Sequence, residues 1–285
     1  MDVSVIIPLF NSAKYVQQCM DALLDQDYPA DRYEIIGVEN NSTDSTPELV
    51  AGYPRVRLIR EPKAGAYAAR NSGIRAAKGE IIAFTDADCV PQRDWISCIA
   101  AGMRAAGWEI LLGKRDCAAP SSHLRLLSDY DSTLAAHLFS SDMKESYFGY
   151  TNNMAVRASL FEKQGTFLEI TRGADTVFIR RMVEEYGPGV VHFEPRMRVR
   201  HLEIVSALDF YKKRLIYGRS NEANRALGSA VPLHQAERLR VFRKTIHEHR
   251  YSLLKSVHLF VLLAVGLAFY EYGRWLSSRR GSTRL

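Results

Sequence analysis

Three apolar runs in the first 85 residues each stop at a cluster of polar side chains. That repetition limits the fold more than any other feature of the chain. Residues 3–8 (VSVIIP) lead into Leu9-Phe10-Asn11, residues 33–38 (YEIIGV) into Glu39-Asn40-Asn41-Ser42-Thr43-Asp44, and residues 80–85 (EIIAFT) into Asp86-Ala87-Asp88. A further run, 56–59 (VRLI), falls between the second and third. Helical patterns separate the runs. Asn11/Ser12 can cap a helix to about residue 26, with Tyr15, Val16, Cys19, Met20, Leu23 and Leu24 on one face. Ser45 or Thr46 opens a short helix with Pro47 near its first position, and a small-residue helix over 65–78 is closed by Gly79. Buried strands joined by single helices form βαβ units and a mostly parallel sheet. In such sheets ligands bind beyond the carboxyl ends of the strands, so the clusters at 8–11, 39–44 and 85–88 should share one crevice.

Beyond this unit the reading predicts a helix over 94–105 and a fifth strand over 109–114. The alternation then breaks, and 117–146 reads as a helical connector. After YFGYTNNMAVR (147–157) comes one helix, then an amphipathic helix over 175–186 stopped by Gly187. Two short strands, 189–193 and 197–201, end at His201. A basic helix over about 205–226 and another over 235–249 follow. Residues 196–285 hold 18 Lys/Arg against 6 Asp/Glu, net +12, which leaves the first 195 residues at −6. A basic terminal third suits anionic lipid, nucleic acid or an anionic substrate. The apolar stretch SVHLFVLLAVGLAFY (256–270) favours lipid and no nucleic-acid partner. Its uninterrupted part, 259–270, is shorter than the roughly 20 residues of a full span. It reads either as a buried terminal helix or as a membrane-associating one, spanning or lying in one leaflet. Tyr270, Tyr272 and Trp275 suit an interface, and Arg279-Arg280 a cytoplasmic flank. The four cysteines are scattered, without metal-type pairing, and MDVSVIIPLF has no basic segment ahead of its apolar run. Both features point to the cytoplasmic side of a membrane.

Asp86 and Asp88, one residue apart at a strand end, make a hard, anionic, oxygen-lined site of the kind that holds Mg²⁺ or Mn²⁺ together with a diphosphate. The pair alone is a weak signal, since a solvated turn looks the same. It stands, however, in a series: VSVIIPLFN (3–11), VENNSTDST (38–46), AGAYAARNSGIRAAKGEIIAFTDADC (64–89) and RGADTVFIRRM (172–182). In order and spacing these stretches resemble the family 2 glycosyltransferases, inverting enzymes of the GT-A fold that use nucleotide sugars. The resemblance covers about residues 1–205. It implies an α/β GT-A domain over 1–204, with a nucleotide-sugar-binding half (1–115) and an acceptor-binding half (116–204). A basic helical region (205–250) and a helical, membrane-associating C-terminal segment (251–285) would follow.

By the same resemblance, Pro8, Leu9 and Phe10 touch the base, and Glu39 accepts from a ring N–H or a ribose hydroxyl. Asn40 and Asn41 stand where the family has Asp and Gly; Asn41 is tolerable there because Asn visits left-handed conformations. Arg70 approaches the diphosphate or steadies Asp86, and Asn71 lies near the ribose. Asp86 contacts ribose or metal, Asp88 the metal, and His201 the metal or the diphosphate. The family's general base is an acidic residue opening a helix, here Asp175, which is also a good N-cap residue.

These expectations describe a metal-dependent inverting glycosyltransferase that moves one sugar to a hydroxyl of a glycan or lipid-linked acceptor, in envelope polysaccharide or glycolipid assembly. A polyprenyl-phosphate sugar transferase is the nearest alternative, a sugar nucleotidyltransferase a more distant one, and a non-catalytic membrane adaptor a third. The Q-x-x-R-W motif of processive synthases is absent.

Overall fold

The computed structural model describes residues 1–105, 107–117 and 121–281. Residues 118–120 of the expected connector, the Arg280 side chain and residues 282–285 lie outside the described residues. The elements run β1 (Val3–Leu9), α1 (Val16–Leu24), β2 (Tyr33–Glu39), α2 (Thr46–Ala51), β3 (Val56–Arg60), α3 (Ala66–Ala76), β4 (Ile81–Thr85), β5 (Cys89–Pro91), α4 (Trp95–Ala105), β6 (Ile110–Cys117), α5 (Ser122–Phe139), β7 (Asn153–Arg157), α6 (Ala158–Gln164), α7 (Ala174–Tyr186), β8 (Val191–His201), α8 (Ala207–Ala223), α9 (Gln235–Glu248) and α10 (Leu253–Gly281).

Among the described residues, eight strands form one sheet in the order β3-β2-β1-β4-β7-β6-β8-β5. The β2/β3, β1/β2, β1/β4 and β6/β8 pairs are parallel; β4/β7, β6/β7 and β5/β8 are antiparallel. Successive residues of β1 serve opposite faces, as the period of two requires. Ile6 joins Ile36, Phe84 and the Phe161/Phe167/Phe178 cluster under α6 and α7. Val5 and Ile7 join Met20, Leu23 and Trp95 under α1 and α4. Strands buried on both faces explain why these runs are apolar without alternation.

Three differences from the sequence reading have local causes. Helix α1 starts at Val16 because Asn11 and Ser12 bind elsewhere. Asn11, at φ 47°, accepts from the Thr43 amide at 2.8 Å, and the Ser12 amide donates to Thr46 Oγ1 at 2.7 Å. The strands β5 and β7 were not foreseen. They are three and five residues long, and each is specified by an antiparallel partner distant in sequence. The two strands expected at 189–193 and 197–201 are one strand, β8, interrupted in register. Gly113 pairs with Glu194 and Lys114 with Arg198, so residues 195–197 form a bulge without partners in the ladder. A Cβ on Gly113 would lie 2.2 Å from the Met197 carbonyl, so only glycine admits that bulge.

A third core joins α5, α8, α9 and α10 through Leu124, Leu127, Phe210, Tyr211, Val241, Leu259 and Leu262. Helices α8 and α10 touch backbone to backbone. A Cβ on Gly218 would stand 2.0 Å from the Tyr270 carbonyl, and one on Gly273 2.2 Å from that of Leu215. The C-terminal helix is therefore bound along α8, which reaches the candidate site through Lys213.

Candidate active site

Strand β1 has β2 on one side and β4 on the other, so the loops that leave β1 and β4 diverge and open a crevice at their carboxyl ends. The loops after β1 and β2 are stitched together there. Asn11 holds Thr43, and Asp44 accepts from the Ala13 amide at 3.1 Å and from Thr46. Glu39 is buried at the end of β2. One of its oxygens accepts from the Ser42 amide at 2.6 Å, and the other lies 3.6 Å from Arg60 Nε. Phe10 projects from this rim at 59% exposure, and Pro8 is half-buried.

Two residues expected to touch the nucleotide do not offer their side chains. Leu9 is fully buried among Val5, Ile7 and Val50, since strand alternation turns it into the core. Asn71 donates to the Phe167 carbonyl at 2.9 Å and accepts from its amide at 3.1 Å, which clamps the segment after α6. Asn40 likewise holds the following loop. It donates to the Glu61 and Lys63 carbonyls and accepts from the Gly65 amide, all at 2.8 Å, which places the start of α3. Asn41 sits at φ 66° and donates to the Pro62 carbonyl at 3.0 Å.

Arg70 on α3 is buried and bonds Asp86 Oδ1 at 2.5 Å. Its guanidinium also lies 5.3 Å from the Tyr67 ring centroid, and its Nε is buried without a partner. The Tyr67 hydroxyl accepts from the Asp175 amide at 3.4 Å. At the start of α7, Asp175 accepts from the Thr151 amide at 3.2 Å and the Thr176 amide at 2.8 Å. Burial pushes its carboxyl above the ordinary carboxylate value, against the opposing pull of Arg70 and the two amides. The charge of Arg70 is thus felt by both Asp86 and Asp175.

Asp88 turns the other way. Its Oδ2 is 3.5 Å from His201 Nε2, and the backbone pairs Cys89 with His201 across β5 and β8. Burial, and then the neighbouring charge of Asp86, push the Asp88 carboxyl up to about 6. Burial followed by the Lys213 charge pushes His201 down to about 4. The Lys213 ammonium lies 2.9 Å from His201 Nε2 and donates to it, so the imidazole is neutral, with its proton on the buried, unpartnered Nδ1. Donor atoms of Asp88, Cys89 and His201 lie within 4.8 Å of one another. Burial holds the Cys89 thiol well above its usual range, so the oxygens and the imidazole are the ready donors. That set fits Mg²⁺ or Mn²⁺, with the imidazole favouring Mn²⁺. Lys213 must yield the imidazole lone pair when a cation enters.

Tyr67, Thr151 and Lys213 were not singled out for these contacts from sequence. Tyr67 lies inside the matched AGAYAAR stretch, and Lys213 belongs to a basic run whose partners only the fold reveals.

An open α/β sheet with a carboxylate-rich crevice at its switch point has the architecture of a ligand-binding protein of the doubly wound class. The comparisons narrow that class. The chain belongs to glycosyl transferase family 2, whose model matches residues 4–165. Its fold is the GT-A fold. Glycosyltransferase AglE of Haloferax volcanii is 32% identical over 188 residues, 64% of this chain and 61% of that protein. The matched stretches span only 26% and 38% of two further curated relatives. Among solved structures, the mannosyltransferase PcManGT from Pyrobaculum calidifontis, in complex with GDP-Man and Mn²⁺, superposes at a TM-score of 0.60 with 18% identity, covering 97% of this chain and 83% of that one. S. aureus TarS 1–349 in complex with UDP-GlcNAc gives 0.54 and 18%, covering 99% and 92%. At such identities the likeness is one of fold.

Proposed function

We propose that the protein transfers one sugar, with inversion, from a nucleoside diphosphate sugar to a hydroxyl of a glycan or lipid-linked acceptor. The observation that carries this reading is the buried turn of α3 between Asp86 and Asp175: Arg70 is bound to Asp86 at the tip of β4, and the Tyr67 hydroxyl accepts from the Asp175 amide at the start of α7. The acceptor oxygen bonds to C1 as its proton passes to an Asp175 oxygen. The C1–O bond to the diphosphate breaks, and its electron pair leaves with the nucleoside diphosphate. Asp88 and His201 would hold the divalent cation, with Asp86 beside them fixed on Arg70, and the cation would supply Lewis-acid neutralisation of the departing diphosphate. Glu39, Pro8, Phe10 and Asn41 line the rim proposed for the nucleoside. Incubation with a panel of nucleoside diphosphate sugars should consume one donor with Mn²⁺ or Mg²⁺ and release its nucleoside diphosphate. Equal consumption in a chelator, or none of any donor, would sink the reading.

We infer further that the protein works at the cytoplasmic face of a membrane, with α10 lying in one leaflet. Within the 27 residues Leu253–Arg279 of α10, an 18-residue window has a mean hydropathy of 1.9. Leu259 and Leu262 face the body, whereas Leu253 (82% exposed), Val257, Phe260, Val261 and Trp275 face outward. The close packing of α10 on α8, a helix carrying Lys212, Lys213, Arg214 and Arg219, supports a placement along the membrane surface. Full-length protein should sediment with vesicles containing anionic lipid, and Phe260→Asp with Val261→Asp should release it. Retention of the wild-type chain in the supernatant would contradict the placement.

A further inference from the structure

A second cleft opens behind His201, between the outer half of β6, helix α5 and helix α8. Gly113, Arg115, Tyr150, Asn152, Phe193 and Lys213 are among the residues that line it. It is separate in the sheet from the nucleoside rim. That rim belongs to β1, β2 and β4, and β7 stands between them and β6. The cleft nevertheless reaches the proposed base. Tyr150 and Asn152 line it, and the residue between them, Thr151, gives its amide to Asp175.

The charges of the cleft are unevenly paired. Arg214 is bound to Asp131 at 2.5 Å. Lys114 and Arg198 share Asp116, at 3.5 and 2.7 Å. Lys213 lies 3.0 Å from Glu203, whose side chain is largely exposed. Arg115 has no ion pair among the described residues; its guanidinium stacks 3.9 Å from the Tyr150 ring centroid. The ring is itself fixed, because its hydroxyl donates to the Gly113 carbonyl at 2.9 Å. A planar cation held flat on a buried ring keeps its N–H edge available to an anion. Nearby, Asn152 Oδ1 is buried and has no hydrogen-bond partner among the described residues. A ligand with an anionic group and a hydroxyl would satisfy both.

We propose that this cleft is the acceptor subsite and that it selects acceptors carrying a phosphate, with the phosphate on Arg115 and Lys213 and a hydroxyl turned toward Asn152 and Asp175. The assignment rests on the glycosyl-transfer reading above and adds to it the chemical class of the acceptor. The same cations could otherwise serve the donor's diphosphate, so the test must separate the two sources.

The test is calorimetry on the full chain in detergent with Mn²⁺, titrated with glucose 6-phosphate, with glucose, and with UDP and GDP. Glucose 6-phosphate should bind about ten-fold or more tightly than glucose, and inorganic phosphate should displace it. Arg115→Ala should remove that preference while leaving nucleoside diphosphate binding within about two-fold, and Arg115→Lys should restore part of it. Equal binding of the sugar and its phosphate by the wild-type chain overturns the proposal. So does an Arg115→Ala protein that loses nucleoside diphosphate as strongly as sugar phosphate, because the guanidinium then serves the donor. Should Arg115→Ala fail to fold, Arg115→Lys and the phosphate displacement decide. If neither UDP nor GDP binds the wild-type protein, glycosyl transfer itself is in question, and the contrast between sugar and sugar phosphate still judges the cleft.

Discussion

Asp175→Asn should lower turnover with a hydroxyl acceptor by about a thousand-fold, within the span expected for loss of a positioned base. Nucleoside diphosphate affinity should stay within about two-fold, because the substituted side chain makes no proposed contact with the donor. The amide keeps one oxygen for Thr151 or Thr176, so the start of α7 is preserved while proton acceptance is lost. The wild-type pH profile carries the same signature. Asp175 must be ionised to act, and burial raises its carboxyl, so activity falls on acidification at a pH above the ordinary carboxylate range. In Asp175→Asn the residual rate should lose that limb. A loss below about ten-fold would mean that the nucleophile needs no base, as for attack by a phosphate oxygen, and would favour the polyprenyl-phosphate alternative.

The second large effect concerns Asp88. Asp88→Ala should reduce metal-dependent turnover by about a thousand-fold, the equivalent of the several kcal/mol supplied by a Lewis acid at a leaving diphosphate. It should also weaken Mn²⁺ binding by about a hundred-fold or more. Thermal unfolding gives a readout free of catalysis. Without metal, the Asp88 carboxyl is raised to about 6, so its protonated form is the one the fold favours. That contribution is fully present below the ordinary carboxylate range and is lost as pH rises through about 6. A bound cation prefers the ionised form and reverses the balance. Mn²⁺ should therefore raise the unfolding temperature of the wild-type protein much more at pH 8 than at pH 5, and hardly at all for Asp88→Ala. An equal shift at both pH values, or in both proteins, would remove Asp88 from the metal site.

Much of the first part of the sheet, β1 to β4, was legible because its signals are local. Each strand of β1–β4 is a short apolar run with its own stop, and each helix between them has a face at helical spacing. The acidic residues at the strand tips also follow from chain order, because a parallel sheet brings successive carboxyl ends together. The strands after β4 were read less well. Strands β5 and β7 are short and take their identity from β8, β4 and β6, far off in sequence. The bulge of β8 at Gly113 depends on a close approach that no window of residues reveals.

The amino-acid sequence alone determined the sheet-forming runs, the carboxylates at positions 39, 86, 88 and 175, and the membership of this chain among family 2 glycosyltransferases. All of these are carried by local pattern and by motif order. Only the tertiary structure decided that Leu9, Asn40 and Asn71 hold the frame, and that α3 brings Arg70 to Asp86 and Tyr67 to Asp175. It likewise decided that Lys213 meets His201, and that α10 is bound to α8 instead of standing free. Whether a polar side chain supports the backbone or faces a ligand depends on which groups approach it from distant elements. Burial then sets its charge state, and burial belongs to the packed whole.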